Sequence, residues 1–356
     1  MVDRELSLSQ PVRDEDAFDV EPVAAWLSEQ RCDLSGVPEV RQFPGGASNL
    51  TYELIYPDTQ LILRRPPVGN HAKSAHDMGR EFIIQDRLKS AYPYVPTMVA
   101  RCQDPRLIGA DFYVMAKIDG LILRRNPPPD FDLDAAATRR LCMSVVDRLV
   151  ELHQVDVASV GLAEFSRGDG YVARQVSGWS DRFRRARTRN VPSFRRTIEW
   201  LEEHQPADAG TCLIHNDFRL DNVVLAPDDH ERVVGVLDWE MATVGDPLMD
   251  VGAALAYWVE AGDDPVMRRL RRQPTNLPGM LTRRELWDAY TERTGTAVDD
   301  RRFYEVFGLF RLAVIAQQIY HRYHNGQTHN PAFRQFYALV TYLAWRCRRA
   351  IQGRLG

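Results

Sequence analysis

The sequence predicts an α+β protein of two lobes: a small antiparallel sheet with one helix, then a larger, mainly helical lobe. Short apolar runs separated by turn residues crowd into residues 38–118, whereas helix-period patterns fill most of the chain beyond 121. At 356 residues the chain is long enough for two lobes with a substantial core. One stretch, Cys212–Leu255, interrupts the helical part with a predicted hairpin that carries closely spaced polar residues.

Composition narrows the class. With 44% hydrophobic and 26% charged residues the chain reads as an ordinary soluble globular protein. No apolar run approaches the about 18 residues that span a bilayer, and the acidic N-terminus lacks a signal-peptide core. The five cysteines are scattered without paired spacing, which points to reduced thiols and a cytoplasmic location. A net charge of −4 gives no basis for a nucleic-acid partner, and no membrane partner is expected; the oligomeric state stays open. Charge is nevertheless uneven. From Leu255 to Gly356 there are 16 Arg and no Lys against 9 acidic residues, and RFRRARTRN at 182–190 adds a second basic block. A solvated helical surface explains such a bias, and so does a positive approach to an anionic substrate.

Taken in order, residues 1–17 read as a flexible tail and residues 18–115 as the N-lobe. Asp19 is placed to cap a helix from Val20 to Gln30 with Val23, Ala24 and Leu27 on one face. Three strands follow, with turns at Pro44–Asn49 and Pro57–Thr59. In the first turn Gly45, Gly46, Ser48 and Asn49 are candidates to bring backbone N–H groups against phosphate oxygens, although Pro-Gly-Gly also makes an ordinary hairpin turn. The third strand ends in Arg64-Arg65, and alternation lets only one of them point inward; Arg64 is the candidate phosphate-binding cation, Arg65 the fallback. Glu81, on a helix within GREFIIQDRLKSAY, is placed to pair with it. Two further strands end at Gly120. Residues 116–120 form the expected hinge, with Met115, Ala116 and Ile118 candidates to line an adenine site. Residues 121–356 form the C-lobe. A helix from Ala135 to His153, capped by Asp132 or Asp134, presents Leu141, Val145, Leu149 and Leu152 at core spacing. Two helices broken near Val191-Pro192 and a series of helices after Met249 complete it. His321, His324 and His329 do not converge well enough in sequence to predict a metal site.

The chemistry lies in Cys212–Leu255. Asp217 follows His215 in a His-x-Asp turn, Asn222 lies five residues on, and Asp238 ends a second apolar run. A loop Asp, a downstream Asn and a later Asp are the base and two Mg²⁺ ligands of kinase-type sites. Asp217 is the candidate base, Asn222 and Asp238 the candidate metal ligands, and Arg219 a candidate to reach the γ-phosphoryl group. His215 and Asp250 are expected to brace the loop. Glu240 is either a supporting carboxylate or a substrate contact.

FPGGASNLTYEL, LILRRPP, GREF, FYVMAKIDG, HNDFRLDN and VLDWEMATVGDPLMD resemble the aminoglycoside phosphotransferase-like (choline kinase-like) branch of the protein-kinase-like fold. More narrowly, RRPP, GYVARQVSGWSDRF and FRLAVIAQQIYHR resemble kinase domains linked to acyl-CoA dehydrogenases, some of which phosphorylate 4-hydroxyacyl-CoA. The resemblance covers nearly the whole chain after the tail. It implies a bilobal kinase fold, ATP and Mg²⁺ as cofactors, and transfer to a small-molecule hydroxyl. Two departures stand out: Asn216 replaces the glycine of the family's His-Gly-Asp, and Arg64 replaces the lysine of the wider fold. No flavin-binding dehydrogenase domain is expected within this length.

The resulting expectation is an ATP- and Mg-dependent kinase for a hydroxyacyl-CoA or similar anionic metabolite. An aminoglycoside O-phosphotransferase is the alternative, as is a nucleotide-binding pseudokinase. A polycationic sugar calls for a carboxylate-lined pocket, which the arginine-rich C-lobe does not announce.

Overall fold

The computed structural model describes residues 9–31, 33–44, 49–67, 77–129 and 131–354. The N-terminal part is a six-stranded antiparallel sheet in the order β1-β2-β3-β4-β6-β5. Its strands are β1 (Gln10–Pro11), β2 (Glu39–Gln42), β3 (Leu50–Ile55), β4 (Gln60–Arg65), β5 (Met98–Cys102) and β6 (Phe112–Ala116). Helix α1 (Val20–Gln30) covers one face through Val23 and Leu27, which cluster with Tyr52, Leu54, Leu63 and Phe112. Helix α2 (Met78–Leu88) covers the other, where Met78 and Phe82 meet Ile62, Tyr113 and Met115. Asp19 and Asp77 cap these helices through backbone N–H groups of their first turns.

The expectation of a flexible tail is corrected for residues 9–17. Gln10 pairs with Gln42 and Pro11 with Arg41, while the Tyr52 hydroxyl donates to Asp16 O at 2.8 Å. Residues 1–8 lie outside the described residues.

The C-terminal part is helical around two small two-stranded antiparallel sheets. It comprises α3 (Ala135–His153), α4 (Tyr171–Ala186), α5 (Arg195–Glu203), β7 (Cys212–Ile214), β8 (Val223–Leu225), β9 (Val233–Val236) and β10 (Thr243–Gly245). After these come α6 (Pro247–Leu255), α7 (Pro265–Leu270), α8 (Arg283–Thr294), α9 (Arg302–His324) and α10 (Phe336–Ile351). Helix α9 runs through the middle with Phe303, Val306, Phe310, Ala313 and Val314 buried. It approaches α6 at paired glycines: a Cβ on Gly308 would lie 2.2 Å from Gly252 O, so only glycine lets the backbones this close. Among the described residues no helix is long and apolar enough to cross a membrane.

Backbone bonds tie the two parts together. Leu121 N–H donates to Leu225 O and Leu225 N–H to Leu121 O, both at 2.9 Å. This fastens the segment after β6 to β8, and Gly120 makes room for it, since a Cβ there would sit 2.2 Å from Leu225 O.

Candidate active site

Strand alternation decides between the two adjacent arginines. On β4, Leu61, Leu63 and Arg65 face α1, whereas Ile62 and Arg64 face α2 and the space between the two parts. One Arg64 nitrogen lies 2.9 Å from Glu81 Oε1; the other lies 3.1 Å from Asp238 Oδ1 and 3.8 Å from Glu240 Oε2. Arg65 is 1% exposed and serves the fold. It donates to Asp16 O at 2.7 Å, Ile108 O at 2.8 Å and the Tyr52 hydroxyl at 2.9 Å, clamping residues that precede α1 onto the sheet.

The Arg64 cluster is electrostatically tight. Burial by itself lowers the Arg64 pKa, but Glu81, Tyr113, Asp238 and Glu240 outweigh it and hold the guanidinium well above its ordinary value. Burial opposes ionisation of Asp238 too, yet Arg64 prevails and keeps that carboxyl below its usual range. At Glu81 burial wins and pushes the carboxyl up, with Arg64 offsetting part of the shift. Arg64 is thus held in its charged form by the carboxylates around it.

The Asp217 loop is held from below. Asp250, fully buried on α6, accepts from His215 N–H and Asn216 N–H, both at 2.7 Å, and from His153 Nε2 at 3.1 Å. His215 Nδ1 accepts from Asp217 N–H at 3.2 Å, so Nε2 carries the proton donated to Leu237 O at 3.0 Å. Burial lowers its pKa below 6.5, which keeps the imidazole neutral. Asn216 explains its own departure from the glycine pattern: its φ is +64°, a left-handed conformation in which asparagine is among the few tolerated side chains. Its carbonyl accepts from Arg311 at 2.8 Å and its Nδ2 donates to Met241 O at 3.1 Å.

The hairpin β8–β9 brings the remaining groups together. Its connection, Ala226 to Arg232, is longer than a tight turn and is closed by Ala226 N–H to Arg232 O at 2.8 Å. Beyond it, Leu237 N–H donates to Asn222 O at 2.8 Å, which sets Asn222 beside Asp238. Asn222 Nδ2 is occupied by Asp217 O at 2.9 Å and Asp217 Oδ2 at 3.1 Å, which leaves its Oδ1 as the group to face a cation. Arg219 lies 3.4 Å from Asp217 Oδ2 and 3.1 Å from Asp221 Oδ1, and stacks on Tyr257 with its guanidinium carbon 4.7 Å from the ring centroid.

Arg64, Asp221, Asn222, Asp238 and Glu240 line a cleft of about 890 Å³. Ile62, Met115, Ile118, Ile122 and Leu237 give it an apolar slot; Arg64, Asn222 and Asp238 stand at its floor. Of the three residues named for the adenine edge, Ala116 has its N–H engaged by Thr97 O at 2.8 Å, whereas Ile118 N–H has no partner among the described residues. Gly45, Gly46 and Ser48 lie outside the described residues; Asn49 is in the cleft, where its Nδ2 donates to Glu240 Oε2 at 3.1 Å. Asp221, Arg124 and Tyr257 were not singled out by sequence reasoning. Burial pushes the Asp221 carboxyl above its usual range against the pull of Arg219 and Arg124. Their signal was positional only: Asp221 sits inside FRLDN, and Arg124 follows the hinge.

The family model described as the phosphotransferase enzyme family (APH) matches residues 39–287. Mouse acyl-CoA dehydrogenase family member 10 is 36% identical over 316 residues, which are 87% of this chain but 29% of the mouse protein. A solved structure from Ralstonia eutropha JMP134, provisionally assigned as an aminoglycoside phosphotransferase, is 26% identical with a TM-score of 0.78 over 95% of this chain and 99% of its own. A thermostable mutant of the aminoglycoside phosphotransferase APH(4)-Ia, solved with AMP-PNP and hygromycin B, shares the fold at 14% identity and a TM-score of 0.58, over 93% of this chain and 98% of its own. The chain thus belongs to the phosphotransferase enzyme family and has a protein-kinase-like fold.

Proposed function

We propose that the chain transfers the γ-phosphoryl group of Mg·ATP to the hydroxyl of an acyl-CoA-type metabolite. One observation carries the phosphoryl-transfer half: Arg64, Asn222 and Asp238 line one cleft, with Arg64 held by Glu81 at 2.9 Å and reaching Asp238 at 3.1 Å, and Asn222 bonded to Asp217 at 3.1 Å. The apolar slot suits an adenine ring, and Arg64, oriented by Glu81, suits the α- and β-phosphates. Arginine keeps its charge in this buried position and offers a broad fork where the wider fold uses lysine.

The donor set fits a hard divalent cation. Asp238 stays ionised beside an Asn222 amide oxygen, and Mg²⁺ is content with one or two such oxygens because waters and phosphates complete its shell. When bound, the metal neutralises phosphate charge. Asp217 accepts the proton of the acceptor hydroxyl as that oxygen bonds to the γ-phosphorus. The bond from phosphorus to the β–γ bridging oxygen breaks, and ADP leaves with the electron pair. Asn222 Nδ2 fixes the Asp217 carboxylate and Arg219 supplies charge beside it.

The acceptor reading rests on charge. Arg124, Arg125, Arg269, Arg271 and Arg272 all line the cleft, a wall that repels an aminoglycoside and attracts a phosphate-bearing acceptor. The name of the mouse relative points to the same acyl-CoA chemistry. The test offers Mg·ATP with hydroxyacyl-CoAs and aminoglycosides in parallel and detects phosphorylated product by mass spectrometry. Phosphate on a hydroxyacyl-CoA is expected. Phosphate on aminoglycosides alone overturns the acceptor assignment, and ATP binding without any accepted phosphate restores the pseudokinase reading.

A further inference from the structure

Two blocks far apart in sequence, GYVARQVSGWSDRF and FRLAVIAQQIYHR, have no role in the phosphoryl-transfer chain above. The fold brings them together beside Asp217. Arg311 on α9 is 4% exposed, yet no carboxylate pairs with it among the described residues. Among the described residues its one hydrogen bond goes to Asn216 O, one residue before Asp217. Its guanidinium carbon lies 5.3 Å from the ring centroid of Trp179 on α4, and Arg182 stacks on the same ring at 4.6 Å. Two cations thus flank one indole with no carboxylate paired to either among the described residues, and burial together with Arg185 and Arg311 lowers the Arg182 pKa. A buried, uncompensated guanidinium is costly unless something electronegative completes it.

We propose that Arg311, backed by Trp179 and Arg182, is the acceptor-recognition site and binds the acyl oxygen of the molecule whose hydroxyl faces Asp217. This rests on the hydroxyacyl acceptor proposed above and deepens it: the substrate must carry a carbonyl or carboxylate oxygen near the reacting hydroxyl. A thioester carbonyl and a free carboxylate share that chemistry. The guanidinium fork grips either one, and the Asn216 contact couples the grip to the position of the base.

The experiment measures kcat and KM with a hydroxyacyl-CoA and with the matching free hydroxy acid, for the wild type, Arg311→Lys and Arg182→Ala. Lysine keeps the charge but loses the fork, and Arg182 is exposed, so its removal spares the fold. Arg311→Lys should raise KM for the accepted compound about tenfold or more, the equivalent of one hydrogen bond to a charged group, with kcat within about threefold. Arg182→Ala should raise KM less, and Mg·ATP affinity should not move in either variant. Whichever arm the wild type accepts identifies the oxygen as thioester or carboxylate. A fall in kcat with unchanged KM in Arg311→Lys overturns the proposal and leaves Arg311 a loop brace. If the wild type phosphorylates neither compound, the acyl acceptor reading falls with it, a result visible before any variant is made.

Discussion

Replacing Asn216 by alanine should cost about 1.5–3.5 kcal/mol of stability, and replacing it by glycine about 0.5–1.5 kcal/mol. Both substitutions remove the Nδ2 bond to Met241 O, for a loss of about 0.5–1.5 kcal/mol. Both keep the backbone bonds to Asp250 and Arg311. They differ at φ +64°: a Cβ without a locally bonding side chain adds about 1–2 kcal/mol there, whereas glycine adopts it without penalty. Urea unfolding followed by tryptophan fluorescence separates the two variants, because the expected gap exceeds the usual error in midpoint. Alanine should also depress kcat, since any relaxation of φ at Asn216 moves Asp217. Equal stability and equal kcat for the two variants would refute the claim that the left-handed loop conformation, not the side chain, is what this position requires.

The adjacent arginines should separate stability from activity. Arg65→Met deprives Asp16 O and Ile108 O of their donor and should destabilise by about 3 kcal/mol with the folded enzyme still active, whereas Arg64→Met should abolish most turnover of the folded protein; turnover lost in Arg65→Met and kept in Arg64→Met contradicts the β4 alternation. Asp250→Ala strands three buried donors and should cost about 3–5 kcal/mol by urea unfolding, so a loss under about 1 kcal/mol counts against its bracing role. His215 titrates below 6.5 in the folded protein, so the neutral imidazole contributes stability in full above pH 6.5 and loses it as pH falls through the folded pKa. Wild type should therefore weaken on acidification more steeply than His215→Gln over that window. Parallel pH–stability curves would show that His215 does not report the buried, neutral state described here.

Much of the site was legible because its groups are close in sequence. Asp217, Asn222 and Asp238 flank one hairpin, and local apolar runs were enough to place them side by side. Arg64 with Glu81 was legible through strand alternation and a helix pattern, although alternation left open which arginine pointed inward; the clustering of Leu61 and Leu63 with α1 decided it. The tail was misread because its hold is not local. Gln10 and Pro11 pair with β2, and Asp16 is fastened by Arg65 and Tyr52, contacts that no pattern within the first 17 residues announces. Asn216 looked anomalous in the sequence, but its backbone angle makes it an alternative solution to the requirement that glycine meets elsewhere. Arg311 and Trp179 were visible only as unexplained blocks. Their meeting depends on how α4 and α9 pack, and helix periodicity does not encode that.

The central claim is that Asp217 works as the base for phosphoryl transfer from Mg·ATP to a hydroxyl. Its most direct test is single-turnover transfer to the accepted hydroxyacyl compound by Asp217→Asn, with Mg·ATP affinity measured on the same preparation. The account predicts a loss of at least about 100-fold in the transfer rate, with Mg·ATP affinity within a few-fold of wild type. Transfer at the wild-type rate by that variant would contradict it.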